Sequence, residues 1–141
     1  MTYFRRLKNS LIKNGNPGNN ILDEITALDD IFSQLVFQGA MTSILGPNYI
    51  MHPHRHCHYN TPNSRGQGTH QDNYEDDENV RHHRTRWTMA FCYPQDADEE
   101  MGPTAIISKS YYYLTHEAAH TENEIALSGE AGTITIVHYD I

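Results

Sequence analysis

The sequence predicts a mostly β chain, a β-sandwich or jelly roll with one helical segment at its N-terminal end. Three observations carry that expectation. A single apolar stripe at three- and four-residue spacing, running from Ile21 to Val36, is confined to the first third of the chain. Beyond it, short alternating or continuous apolar runs are separated by Gly and Pro turns, as in small all-β domains. The 141 residues suffice for one domain with a sizeable core and not for two.

Residues 1–20 open with a short amphipathic piece and pass into Asn14-Gly15-Asn16-Pro17-Gly18-Asn19-Asn20, dense in turn formers. One helix is expected to follow. Ile21, Leu22, Ile25, Leu28, Phe32, Leu35 and Val36 form its buried face, Asn20 its N-cap, Asp23 and Glu24 its first turn, and Gly39 its stop. After the Gly46-Pro47-Asn48 turn comes Tyr49 to Asn60, with histidines at 52, 54, 56 and 58. In a strand all four would share one face. Either they bind zinc, nickel or copper, or they are the polar lining of a cavity. Four ligands spread over roughly 20 Å of strand cannot share one ion, so at most one neighbouring pair could.

A loop from Thr61 to Gly68 delivers the chain to His70. The acidic run Glu75–Glu78 and the basic run Arg81–Arg86 suit a solvated loop or hairpin. Trp87–Tyr93 reads as a buried strand ended by Pro94, and a second acidic turn, Gln95–Glu100, leads to Met101-Gly102-Pro103 and another strand. Residues 111–124 are ambiguous between helix and extended chain. His116 and His120 there miss the zinc-protease HExxH spacing by one residue. A short strand, Ile125–Ser128, turns at Gly129–Gly132 into a last strand, Thr133–Asp140, where Thr alternates with Ile and Val. The chain stops at Ile141, directly after that strand, so the expectation is a fold cut short at its C-terminus.

Hydrophobic content is 38%, supplemented by nine Tyr with their large, part-polar rings. The formal net charge of −8 argues against a nucleic-acid binder, which needs a basic face. Cys57 and Cys92 make no disulfide framework and no CxxC pair. No apolar run is long enough to span a membrane, and the N-terminus lacks the apolar core of a signal peptide. A cytoplasmic protein without membrane partners is expected.

The stretch with the clearest chemistry is His70-Gln71-Asp72, preceded by Gly66 and Gly68 and followed by Asn73. On a strand, an imidazole and a carboxylate two residues apart face the same side and can grip one cation. This is two-thirds of the 2-His-1-carboxylate arrangement that holds non-haem Fe(II).

Three motifs then stand in order. His70-Gln71-Asp72 comes first. Next, Trp87-Thr88 opens a strand that leads through the acidic turn to Met101–Ser110. Last comes the Gly132-led strand carrying His138. Over roughly residues 45–141 the chain resembles the phytanoyl-CoA dioxygenase family of Fe(II)- and 2-oxoglutarate-dependent oxygenases.

The resemblance implies a double-stranded β-helix, cupin-like, incomplete at the C-terminus, with residues 45–141 a partial dioxygenase domain; residues 1–44 are expected to be a helical segment that packs on the barrel. It assigns His70 and Asp72 to Fe(II), and Trp87 to the pocket of the co-substrate 2-oxoglutarate. Met101 stands for the family's usual Asn before Gly-Pro, and Ser108-Lys109-Ser110-Tyr111 stands for Pro-Gly-Ser-His. In the family pattern an early, non-ligand His precedes the second iron His by about five residues. His138 falls at the early place, which puts the ligand, and the Arg that grips the co-substrate, past Ile141. His138 itself is the ligand if the strand register differs.

The implied activity is hydroxylation of a small organic substrate with conversion of 2-oxoglutarate to succinate. The alternatives are a non-catalytic metal-binding jelly roll or an inactive fragment. A cupin site among His52–His58 lacks its nearby Glu, the next being Glu75.

Overall fold

The computed structural model describes residues 3–70, 85–112 and 123–141, and the chain divides into two compact units, Met1–Ser64 and Arg65–Ile141. The first unit is helical. It contains α1 (Tyr3–Asn14), a 3-10 turn at Gly18–Asn20, α2 (Ile21–Glu24), α3 (Ala27–Phe32) and α4 (Leu35–Leu45). Its core is Leu7 from α1 with Ile21, Ile25 and Leu28, and Leu11, Leu22, Ile31, Phe32 and Cys57 pack against these.

The single helix expected from Asn20 to Gly39 is instead three. Ile25 leaves helical geometry at φ −132°, ψ 70°, ending α2, and Gln34 is extended at ψ 134°, so α4 begins afresh. The Asn20 side chain makes no capping hydrogen bond. The second break costs the apolar stripe its phase. Leu35 and Val36, expected to be buried, are 85% and 87% exposed, while Phe37 and Met41 are buried in their place. Gly39 lies inside α4. The stop is Gly46, at φ +96°, whose N–H bonds back to the Thr42 carbonyl.

The strand considered for residues 49–60 is not formed, and the chain there is irregular. It is tied instead to the Asn-rich turn. Asn16 Nδ2 donates to the Cys57 carbonyl, and the Arg55 N–H donates to Asn19 Oδ1 at 2.9 Å. Asn16 also closes its own turn, accepting the Gly18 N–H at 2.9 Å.

The second unit is built on nested antiparallel pairing. β1 (Thr88–Cys92) pairs with β4 (Ile134–His138), from Thr88↔His138 to Cys92↔Ile134. Tyr93 continues the ladder with Thr133, and Ala97 bridges Gly129 through two hydrogen bonds of 2.8 and 2.9 Å in the same register. β2 (Ala105–Ile107) then pairs with β3 (Glu124–Ala126).

Between the Ala97↔Gly129 bridge and the Ala105↔Ala126 pair, one arm advances eight residues and the other three. The excess is taken up by a 3-10 turn at Glu99–Met101. Asp98 caps this turn by accepting the Met101 N–H, and Gly102 closes it in the left-handed region at φ +64°. The short strand expected at Ile125–Ser128 is thus displaced by a residue or two, to Glu124–Ala126. The last strand falls where alternation placed it. Among the described residues there are four strands, in two two-stranded sheets.

Across β1 and β4, Met89 and Phe91 share a face with Thr135 and Val137, while Cys92, Ile134, Ile136 and His138 share the other. Val137 and Ile107 are buried. No helix among the described residues is long and apolar enough to cross a membrane.

Gly129 has no room for a side chain. A Cβ there would lie 2.8 Å from Thr133 Oγ1 and 2.9 Å from Thr133 Cβ. Gly129→Ala is expected to destabilise the protein by about 1–3 kcal/mol, read as a lower urea midpoint.

Candidate functional site

His70 lies on irregular, exposed chain rather than on a strand. Its ring is nonetheless oriented. Nδ1 is 2.9 Å from the Gly68 carbonyl, and a carbonyl can only accept, so Nδ1 carries the proton. The lone pair of the neutral ring therefore sits on Nε2, the tautomer of a metal-ligating histidine whose other nitrogen donates to a backbone carbonyl. The preceding residue is anchored as well: the Thr69 hydroxyl donates to Glu124 Oε1 at 2.7 Å, at the start of β3. Asp72, the other half of the motif, lies outside the described residues, as do the runs at 75–84 and the His116–His120 segment.

His138 is arranged in the opposite sense. The Asp140 N–H donates to its Nδ1 at 3.2 Å, which requires the lone pair there and leaves the proton of the neutral ring on Nε2. Asp140 Oδ2 is 3.8 Å from the same nitrogen, a contact that becomes an ion pair only in the protonated ring. The backbone bond is the shorter and fixes the neutral tautomer. The Tyr111 ring lies flat on the imidazole, centroids 4.4 Å apart and planes 13° from parallel. His138 is thus covered on one face and presents hydrogen, not a lone pair, at Nε2. This tautomer suits a structural histidine better than a metal ligand.

Nothing in the ambiguous Tyr run at residues 111–113 marks Tyr111 as a partner of His138. Tyr111 reaches His138 from the turn after β2, and only long-range pairing brings the two together. A hydrogen bond with Tyr112, then burial and the Tyr112 charge, push the Tyr111 hydroxyl above its ordinary value.

That turn has two further features. Lys109 sits at φ +65°, a left-handed conformation that side chains other than Gly rarely adopt. Ser110 is buried, and its hydroxyl has no hydrogen-bond partner among the described residues. Trp87, expected to line a co-substrate pocket, is 50% exposed at the edge of β1. Its carbonyl accepts the Tyr139 N–H at 3.2 Å, and the two rings lie 6.4 Å apart.

The acidic turn holds structure. Asp96 Oδ1 accepts the Ala131 N–H at 2.8 Å, and Asp98 caps the 3-10 turn. A shallow depression of about 520 Å³ lies along Asp96–Glu99 and Ser128–Glu130, and none of His70, Trp87 or His138 lines it. Among the described residues no three His, Cys, Asp or Glu side chains converge as a metal-binding group.

Two measurements test this geometry. Lys109→Gly relieves the left-handed strain and is expected to stabilise the protein by about 1 kcal/mol in urea titrations. Burial pushes the Cys92 thiol up from 9.0 to about 11. The unfolded chain therefore loses this proton first as the pH rises, and stability falls through that window. Between about pH 8 and pH 11 the protein should lose roughly 2–3 kcal/mol that Cys92→Ala does not lose.

Comparisons with family models, with curated proteins and with solved structures find no match to this chain.

Proposed function

We propose that the chain carries the iron site of a non-haem Fe(II)- and 2-oxoglutarate-dependent dioxygenase acting on a small organic substrate, built on a double-stranded β-helix. The observation that carries this reading is His70 within His70-Gln71-Asp72, its Nδ1–H on the Gly68 carbonyl and its lone pair on Nε2. The donor set fits the metal, since imidazole and carboxylate are the ligands of the non-haem iron triad. The order of the flanking motifs adds support. The strand after Trp87 pairs with the Gly132-led strand, and the Gly102 turn lies between them in sequence. Lys109, standing where the resembled family has Gly, adopts the backbone conformation that Gly favours. Among the described residues, β1 pairs with β4 and β2 with β3 in two two-stranded sheets.

Bound at this site, Fe(II) with 2-oxoglutarate and oxygen supplies the oxidising power for hydroxylation of a C–H bond. The chain contributes positioning and charge. His70 offers Nε2, and the Gly68 carbonyl fixes its ring. Asp72 supplies an anionic oxygen that offsets the charge of the metal. Trp87 is assigned to the co-substrate side, and His138, whose Nδ1 accepts the Asp140 N–H, is not assigned to the metal. A cytoplasmic location is part of the same proposal.

The test is succinate release from 2-oxoglutarate by the protein, with and without Fe(II). His70→Ala and Asp72→Ala are each expected to lower release by roughly a hundredfold or more. Unchanged release in both variants overturns the ligand assignment. Fe(II) retained without succinate release in the unaltered protein identifies a non-catalytic metal-binding protein instead.

A further inference from the structure

We infer that His56 and His58 form a second, separate metal site, a two-imidazole chelate for a divalent first-row transition ion, with Cu(II) held most tightly. The inference is independent of the iron reading, because it uses no residue of the His70 motif.

Three observations converge on this pair. The first is backbone anchoring. Asn19 holds the Arg55 N–H and Asn16 holds the Cys57 carbonyl, so the segment around His56 is fastened at two points from one turn. The second is side-chain direction. Cys57 packs against the helical core, with its thiol pushed up by burial, while His56 and His58 on either side of it are exposed. The exposure of both neighbours of an inward Cys57 leaves the two imidazoles on the outer side.

The third is spacing. The two ring centroids are 4.9 Å apart with planes at 75°. An ion about 2.0–2.1 Å from a ring nitrogen lies roughly 3.2 Å from that ring's centre. Two rings sharing one ion at angles from square to tetrahedral therefore have centres about 4.5–5.2 Å apart. The observed separation falls inside that window.

His52 Nδ1 is taken up by the His54 N–H at 3.1 Å, a local turn within that pair. With two nitrogens from the chain, water completes the coordination. Such an open, imidazole-only site follows the general affinity order, with copper above nickel and zinc. The net charge of −8 favours cation approach.

The experiment is a Cu(II) titration of the full 141-residue chain, followed by calorimetry and by electron paramagnetic resonance for nitrogen coupling. His56→Ala/His58→Ala should lose one copper equivalent and its two-nitrogen signal, while His52→Ala/His54→Ala keeps both. Asn16→Ala/Asn19→Ala should weaken the same equivalent roughly tenfold while circular dichroism stays that of the folded chain. His70→Ala should leave the equivalent intact, which separates this site from the proposed iron site. An unchanged equivalent and signal in His56→Ala/His58→Ala, or an equal loss in His52→Ala/His54→Ala, overturns the inference.

Discussion

A fixed antiparallel register between two distant stretches of chain is the constraint on which the second unit rests. The strand pairs from Thr88↔His138 to Cys92↔Ile134 and the isolated Ala97↔Gly129 bridge share one register, and that register decides which side chains face each other across β1 and β4. It sets Trp87 beside Tyr139 and puts Cys92 on the face of Ile134, Ile136 and His138. A slip of one residue would turn each of these to the opposite side. Gly129 sits where the ladder and the turn into β4 crowd each other, and Thr133 occupies the space a side chain would need.

Two histidines in this unit show how the backbone decides chemistry. His70 gives a proton to a carbonyl, and His138 receives one from an amide. The first arrangement leaves an electron pair at the outer nitrogen, the second a hydrogen. Residue type alone does not distinguish them, because the distinction lies in which backbone group stands within reach. In the first unit the Asn-rich turn has the same kind of influence: two amide side chains give an irregular segment a defined path without strand pairing.

Legibility in the sequence followed how local each cause was. The last strand was readable because Thr135 and Val137 alternate with Ile134 and Ile136, a pattern that a half-buried ribbon imposes on its own residues. The helical stretch was readable in composition but not in continuity. The apolar spacing runs through Ser33-Gln34 unbroken, whereas the backbone turns there, and Leu35 and Val36 end up in solvent. The histidine comb suggested a strand, yet a strand needs a partner edge, and the hydrogen bonds go to Asn16 and Asn19 instead. Of the candidate site, His70 was legible as a motif, but the carbonyl that orients it was not. Tyr111 over His138 was invisible, since it depends on contacts between residues far apart in the chain.

The unequal arms of the nested ribbon have a further consequence. The surplus residues around Glu99–Met101 lie between two ladders that are each locked separately, so this turn works as an expansion joint. Chain length can vary at this turn without rephasing any strand pair. Sequence drift in size should therefore collect at this corner, while the stretch from Gly129 to Thr133, with no such slack, keeps its length.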